Sequence, residues 1–526
     1  MQSIFNRASL VTIVVSSALA ACGGGNGGAP DPTASPAISA LQACAALDGR
    51  NVGGAAVLSA TVVAATGTTP TFCRVAARMD PKLNFELRLP DAWNGKLLYS
   101  GGGGYNGAVP AANGPQLAAG YANVSSDSGH QASGVDATWA LNDTYAAQLF
   151  GSLSVPTVMG ATQKMVLAAY GKAPSRSYFE GCSNGGREAL MNAQRYPNLF
   201  DGIVARAPAY NWVGFMGAFN RTAKALAAPG GALNTAKIQL LAKAVRDACD
   251  GADGVVDGVV SNPQACARLN SVDQPAFNIA SLRCVGGADT GNTCLSDAQL
   301  AAVSSWTTPA TFAGSYRNAG WNLSGNEDDP GAWAAWVTGT NGVRTAAQFL
   351  FQDTTVKTYL ARDLTVDSLT YTPWDQNPEA LYGLAALNDA TSTDLRPFTN
   401  RGGKLILWHG GSDSALSYKT TAEYHDGLAT TLGATGRDNA VRFYVAPGVN
   451  HCAGGVGADS TNLVAALDNW VEAGTAPETL AAEKVAAGAT TFSRPLCRWP
   501  QYPRYTGPAG NADAAKLASN YTCTAP

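Results

Sequence analysis

The sequence predicts an α/β fold, and three observations predict it. Residues 83–89 alternate Leu83, Phe85, Leu87 and Leu89 with Asn84, Glu86 and Arg88, the period of a half-buried strand. Shorter apolar runs at residues 97–99, 178–179, 203–204, 405–408 and 443–445, several of them closed by Gly-rich turns, have the character of buried parallel strands. Helix-like stretches at residues 158–170 and 187–196 lie between them, and such alternation builds an α/β domain. The alternation lapses over residues 212–390, which are rich in Ala, Trp, Asn and Thr and hold four of the cysteines. That stretch reads as an inserted domain, leaving residues 41–211 and 391–526 as two parts of one core. No repeat of fixed period is evident.

Composition sets the outer limits. A chain of 526 residues holds two or three average domains, or one large domain with an insertion. Charged residues are 14% against roughly 25% in an average soluble protein, and hydrophobic residues are 46%, which excludes charge-driven disorder. Gly (58) and Pro (27) are abundant without reaching low-complexity levels, so the protein is globular and loop-rich. Lys and Arg (35) nearly balance Asp and Glu (38), for a net charge of −3. With no basic stripe to neutralise phosphates, nucleic acid is excluded as a partner class.

The amino terminus reads as an export leader over residues 1–21. Arg7 is the only early charge, an apolar run too short to span a bilayer follows, and small residues lead to Leu19-Ala20-Ala21-Cys22. That tetrapeptide is similar to a bacterial lipobox, which implies acylation of Cys22; the alternative is an ordinary signal peptide. Residues 22–40, rich in Gly, Pro and Ser, then form a flexible tether. Of the 11 cysteines, ten remain without Cys22, an even number that suits an oxidising compartment. Counting does not fix their connectivity. Four groupings are close in sequence, Cys44 with Cys73, Cys249 with Cys266, Cys284 with Cys294 and Cys497 with Cys523, which leaves Cys182 and Cys452. No CxxC pair supports zinc.

Gly181-Cys182-Ser183-Asn184-Gly185 matches G-x-S-x-G, preceded by a plausible strand and followed by a plausible helix start. A nucleophilic serine on such a strand-to-helix turn needs small flanking residues, because the turn is strained and projects the hydroxyl from the sheet. The helix amino terminus also turns partial positive charge toward an oxyanion. Without that context, the pattern is a Gly-rich turn with an incidental serine. In the chain order Ser, acid, His that accompanies this elbow, His130 is too early. Asp413 follows the run at 405–408, and His451 follows the run at 443–445, each in a strand-end loop. They are the natural orienting acid and base. His409 precedes the acid and His425 lies in a helix-like stretch at 420–428, so both read as structural. Cys182 adjoins Ser183 and Cys452 adjoins His451, so a Cys182–Cys452 disulfide would hold the two loops together.

At this point the sequence resembles the tannase and feruloyl esterase family, whose Cys-Ser, Asp and His-Cys arrangement stands here as GCSNGGRE, HGGSDSALS and PGVNHCAGG. The resemblance runs from about residue 44 to residue 523 and places the ten cysteines in the family's five-pair layout. It implies an α/β-hydrolase core, a large inserted lid domain between core strands, and hydrolysis of esters of aromatic acids of the hydroxycinnamic or gallic type, with no redox cofactor. It also implies that the loop Ser100-Gly101-Gly102-Gly103-Gly104 is the oxyanion loop, with Gly102 and Asn184 donating backbone N–H groups. Three carboxylates spaced among glycines at residues 250–257 can converge on a hard cation, and otherwise form a solvated acidic turn. The resemblance implies a structural calcium site there: Asp250, Asp253 and Asp257 by side chain, Val255 and Val259 by carbonyl, with Cys249–Cys266 closing the loop.

Substrate choice is where the match ends. Hydrolysis of terephthalate monoesters, an alternative within the family, implies a lid arginine that grips the free carboxylate. The corresponding stretch at residues 345–349 offers none, and Arg344 is merely adjacent. Trp306, Trp333, Trp336 and Phe349 are candidates to stack on a phenolic ring. A different class of function is a surface-tethered, non-catalytic binder of phenolic or glycan ligands on the same fold. The complete Ser, Asp and His set argues for the enzyme. Partners are then small aromatic esters, with a membrane engaged only through a lipid on Cys22.

Overall fold

The strand-like runs gather into one ten-stranded sheet. Its strands are β1 (Asn51–Val52), β2 (Ala55–Val63), β3 (Phe72–Met79), β4 (Leu83–Pro90), β5 (Lys96–Ser100), β6 (Ala122–Ser126), β7 (Arg176–Cys182) and β8 (Gly202–Arg206). After a hairpin outside the sheet, β9 (Ala310–Phe312) and β10 (Tyr316–Asn318), the chain adds β11 (Lys404–Gly410) and β12 (Val441–Ala446). The order is β1-β2-β3-β4-β6-β5-β7-β8-β11-β12. From β1 to β6 neighbouring strands pair antiparallel; from β6 through β5, β7, β8 and β11 to β12 every pairing is parallel. The computed structural model describes residues 38–267, 278–371, 374 and 377–526. The leader at 1–21 and Cys22 lie outside the described residues, as does the tether up to residue 37. The tether's expected end at residue 40 moves back, because Ser39 caps the helix Ala40–Leu47 through a capping box with Gln42.

The parallel strands are solidly buried, as their unbroken apolar runs require when helices cover both faces. The alternation in β4 is less simple than it reads. Arg88, on the polar register, is buried against Glu86, Asn123, Ser125 and the Pro110 carbonyl. Those partners let β6 (ANVSS) lie fully buried inside the sheet despite its polar sequence. The long helices Ser154–Tyr170 and Asn184–Arg195 pack their apolar side chains into the same core as β4, β5 and β7.

Residues 38–526 form one compact unit. Within it, the described residues between β8 and β11 supply no strand to the main sheet and build an aromatic core, where Trp306 stacks on Trp321 at 5.3 Å and meets Trp333 edge-on at 4.9 Å. The chain leaves and re-enters the core at one place. The Ala390 N–H donates to the Tyr210 carbonyl at 2.8 Å, and the Val213 N–H donates to Asp389 Oδ1 at 3.1 Å. Two hairpins follow β12: β13 (Thr479–Ala486) with β14 (Ala489–Cys497), and β15 (Tyr502–Tyr505) with β16 (Tyr521–Thr524). Five disulfides are present: Cys44–Cys73, Cys182–Cys452, Cys249–Cys266, Cys284–Cys294 and Cys497–Cys523.

Candidate active site

Because β5, β7, β11 and β12 run parallel, their carboxyl ends open on one edge of the sheet, where ligands of open α/β sheets bind. Each strand delivers one part of the site there: β5 the glycine loop, β7 Ser183, β11 Asp413 and β12 His451.

Ser183 sits between β7 and the helix Asn184–Arg195 with φ 62° and ψ −119°, a left-handed backbone that a non-glycine residue holds only under constraint. The constraint is visible. Its N–H donates to the Arg206 carbonyl at 3.0 Å, and its own carbonyl accepts from Arg187 at 3.0 Å and Ala209 at 2.9 Å. The turn is so tight that a Cβ on Gly181 would lie 2.5 Å from the Gly185 carbonyl carbon. A serine before a helix ordinarily caps it. Here the Ser183 hydroxyl caps nothing, and Ser183 lines a cleft together with His451.

His451 Nδ1 lies 2.8 Å from Asp413 Oδ2. Asp413 is fully buried, and its other oxygen accepts the N–H groups of Ala415 and Leu416, each at 2.8 Å. Burial alone would raise its pKa, but the charges and hydrogen bonds of His451 and His409 outweigh that and hold the carboxyl well below the usual carboxylate range. An ionised carboxylate on Nδ1 leaves Nε2 of His451 free to accept a proton. The Cys182–Cys452 disulfide, 270 residues apart in sequence, ties the serine turn to the histidine loop.

His409, read as structural, is fully buried and does more than fill space. Its Nε2 lies 3.2 Å from Asp413 Oδ2, the oxygen that also meets His451. The spacing of four residues in HGGSD was the signal. His425 is buried in the helix Tyr418–Leu432 beside Asp426, and His130 stacks on Trp139 at 3.6 Å, where burial pushes its pKa down to about 4.

The glycine loop corrects one expectation. The Gly102 N–H donates to Glu188 Oε2 at 3.2 Å, so this donor is spent inside the protein. Glu188 is buried one turn into the serine helix, and Ser128 Oγ donates to its other oxygen at 3.3 Å. The backbone N–H groups of Gly103 and Asn184 make no hydrogen bond among the described residues, and Asn184 lines the cleft beside Gly104. An oxyanion would therefore meet Asn184 and the peptide after Gly102. Arg187, also unforeseen, is buried, donates to Asn184 Oδ1 at 2.8 Å, and stacks on Trp212 at 5.4 Å from the ring centroid.

The cleft measures about 330 Å³ including its open mouth. One wall is a single face of the helix Trp212–Ala227, with Trp212, Phe215, Met216 and Phe219 at helical spacing. Trp336 and Phe351 face it from the insert and stack on each other at 6.2 Å. Of the four aromatics singled out from the sequence, Trp336 alone lines this cleft. Trp306 and Trp333 are buried in the insert's aromatic core, and Phe349 packs in a separate small cluster with Ala223 and Ala346. Arg344 is exposed, pairs with Asp367 at 2.8 Å and covers Phe349.

The expected calcium ligands are partly engaged elsewhere. Asp250 accepts from Asp257 and Gly258 N–H groups, Asp253 from Val255 and Ser261, and Asp257 from Val259. Asp257 also pairs with Arg494. Val255 and Val259 flank these carboxylates in the loop that Cys249–Cys266 closes. Among the described residues, no three His, Cys, Asp or Glu side chains gather as a group that could hold a metal. Asp250 and Asp253 are nevertheless buried, with no ion-pair partner among the described residues. Burial, with Asp257 and Asp250 nearby, pushes Asp253 up to about 7.

A mixed sheet with a serine on a strained strand-to-helix turn, and an acid and a histidine on later strand ends, defines an α/β hydrolase. The family model described as tannase and feruloyl esterase matches residues 63–524. The mono(2-hydroxyethyl) terephthalate hydrolase of Piscinibacter sakaiensis is 32% identical, over 89% of this chain and 87% of that protein. An esterase from Aspergillus oryzae has the same fold, with a TM-score of 0.80 at 23% identity, covering 92% of this chain and all of that one. Feruloyl esterase B from the same organism aligns with a TM-score of 0.78 at 24% identity, over 90% and 98% of the two chains. The chain belongs to the tannase and feruloyl esterase family and is a carboxylic ester hydrolase.

Proposed function

We propose that the protein cleaves esters of aromatic acids of the hydroxycinnamic or gallic type through a serine acyl-enzyme. Ser183 attacks the ester carbonyl, His451 takes its proton and returns it to the leaving alcohol, and Asp413 fixes the imidazole tautomer. The N–H of Asn184 and the glycine loop after Gly102 receive the oxyanion; one such donor is typically worth about 3–4 kcal/mol. The observation that carries this reading is the buried Asp413–His451 contact opening on the same aromatic cleft as the uncapped hydroxyl of Ser183. Ser183→Ala is expected to abolish release of ferulate or gallate from methyl esters, and wild-type turnover by that variant would sink the mechanism. A fluorophosphonate probe separates enzyme from binder: stoichiometric labelling at Ser183 supports the esterase, and none on folded protein supports a non-catalytic phenolic or glycan binder.

A second reading, hydrolysis of terephthalate monoesters, is favoured by the 32% identity to a hydrolase of that name. The position of Arg344 outside the cleft weighs against it.

The loop at residues 250–259 holds, on this proposal, a structural calcium ion. Support comes from its carboxylate spacing and from two buried carboxylates without ion-pair partners; Asp257 would have to turn from Arg494 toward the ion. Calcium would neutralise buried negative charge there, away from the chemistry. Added Ca²⁺ is expected to raise the Tm of chelator-treated protein, and Asp253→Asn to remove that response. Export belongs to the same proposal, since five disulfides suit an oxidising compartment. The mass of the mature amino terminus would tell acylated Cys22 from an ordinary cleaved leader.

A further inference from the structure

We infer that residues 322–336 of the insert clamp the acid loop and the histidine loop, and that Asp329 and Asn326 are positioning residues for the reaction. The inference rests on the esterase reading and adds to it two side chains that line no part of the cleft.

At their bases the two loops are joined through backbone. The Gly411 N–H donates to the Ala446 carbonyl at 2.7 Å and the Ser412 N–H to the Val449 carbonyl at 2.9 Å. Asp413 and His451 stand one step further out, and the insert takes hold of the residue before each. Ser412 Oγ donates to Asn326 Oδ1 at 3.0 Å, and Asn450 Nδ2 donates to Asp329 Oδ1 at 2.7 Å. Asn322 Nδ2 adds a bond to the Gly411 carbonyl at 3.3 Å, and Trp336, on the same run of chain, meets the His451 ring. His451 is therefore held through both of its neighbours: Cys452 by the disulfide to the serine turn, and Asn450 by Asp329.

The clamp is itself fixed. Buried Glu327 takes the N–H groups of Ser324 and Gly325 on Oε1, and the Asn326 N–H donates to Ser324 Oγ at 3.2 Å. Arg246, in the last turn of the helix Thr235–Cys249, pairs with Asp328 at 2.7 and 3.0 Å and anchors the far side. The Gly331 N–H donates to Asp329 Oδ1 at 2.9 Å and sets that carboxylate. Asn450 depends on it: its amide is buried, and its Oδ1 has no hydrogen-bond partner among the described residues, so the bond to Asp329 orients the side chain. With Asp329 gone, a buried amide loses that partner, and the cost is relieved by moving residue 450 and His451 with it.

Asp329→Ala is expected to lower kcat on methyl ferulate by about 10-fold or more with KM within about twofold of wild type, since a displaced base costs rate and not ground-state binding. The rate of Ser183 labelling by the fluorophosphonate probe should fall in parallel. Asp329→Asn keeps an oxygen for the Asn450 amide and should come within about threefold of wild type. A double-mutant cycle reads the route: if Asp329 acts through Asn450, Asp329→Ala and Asn450→Ala together cost no more than the larger single loss. Asn326→Ala should lower kcat in the same way from the acid's side, and circular dichroism verifies folding. Asp329 is only half-buried, so its variants decide even where Asn326→Ala does not fold. Wild-type kcat and labelling rate in Asp329→Ala, additive losses in the cycle, or an Asn variant as poor as the Ala one overturns the inference and leaves the esterase reading standing. Wild-type protein that neither hydrolyses methyl ferulate nor takes up the probe overturns the esterase reading, and the inference with it.

Discussion

The indole of Trp336 stands edge-on to the imidazole of His451, with ring centroids 5.0 Å apart and planes at 76°. Trp336 comes from the inserted stretch and His451 from the loop after β12, so the insert supplies a wall of the cleft beside the proposed catalytic histidine. The same indole stacks on Phe351, which fixes its position from the other side.

Trp336→Ala removes that wall and lets water reach the imidazole from the insert side. We expect kcat/KM on a methyl cinnamate-type ester to fall by about 10- to 100-fold, since small misplacements of catalytic groups carry costs of that size. Trp336→Phe, which keeps an aromatic edge, should recover most of it. Steady-state kinetics on the two variants, with circular dichroism to verify folding, decides; equal activity of Ala and wild type would remove Trp336 from the site.

Asp413→Asn tests the orienting acid. The buried carboxylate accepts from both histidines and from two backbone N–H groups, and an amide in its place would present an N–H where His451 needs an acceptor. The wrong tautomer is then favoured, and kcat should drop by roughly 10⁴-fold with little change in KM. The wild-type carboxylate stays ionised well below its ordinary 3.8, so Asp413 should contribute no acid limb to the pH–rate profile above about pH 4. A limb that shifts with substitutions around Asp413 but not with those around His451 would contradict this.

Removing the Cys182–Cys452 bridge with a double Ala variant should cost both stability and rate. It closes a 270-residue separation, and loss of a native disulfide commonly costs about 2–5 kcal/mol. The kinetic effect is the more specific one, because the bridge joins the serine turn to the histidine loop. A matched double Ala variant of Cys284–Cys294, a ten-residue separation in the insert, should lower Tm while leaving kcat near wild type. Similar kcat losses in both would show that the bridge acts only through global stability.

What was legible in the sequence follows its chemistry. The parallel strands announced themselves as solid apolar runs, and the candidates Ser183, Asp413 and His451 lay in strand-end loops, where the structure brings His451 against Asp413 and sets Ser183 and His451 on one cleft. β6 did not, because its burial depends on Arg88 reaching across from β4, a partnership 35 and 37 residues away in sequence. The spent donor of Gly102 was hidden for the same reason: Glu188 sits one turn into the serine helix, and only the fold brings its carboxylate to the glycine loop. The aromatic candidates in the insert could not be ranked by composition, since core and cleft both use Trp and Phe. The cleft wall of Trp212, Phe215, Met216 and Phe219 went unread, because their helical spacing is equally that of an ordinary buried helix face.

The junction between core and insert predicts a loss of stability between acid and neutral pH. Asp389 is buried where the insert rejoins the core, and burial pushes its carboxyl up to about 7, against the opposing help of the Val213 and Trp212 N–H groups and of Arg187. Its folded value is raised above the ordinary 3.8, so the native state binds this proton more tightly than the unfolded chain does. The contribution is therefore complete below pH 4 and is lost as pH rises through about 7. Asp389→Asn keeps an oxygen for the Val213 N–H, at 3.1 Å in the wild type, and cannot ionise. The stability difference between wild type and variant should move in the variant's favour by on the order of 4 kcal/mol between pH 4 and pH 8. Denaturant melts of both proteins at several pH values measure it. A difference that stays flat with pH would mean that Asp389 is ionised in the fold throughout, with Arg187 supplying enough charge to hold it so.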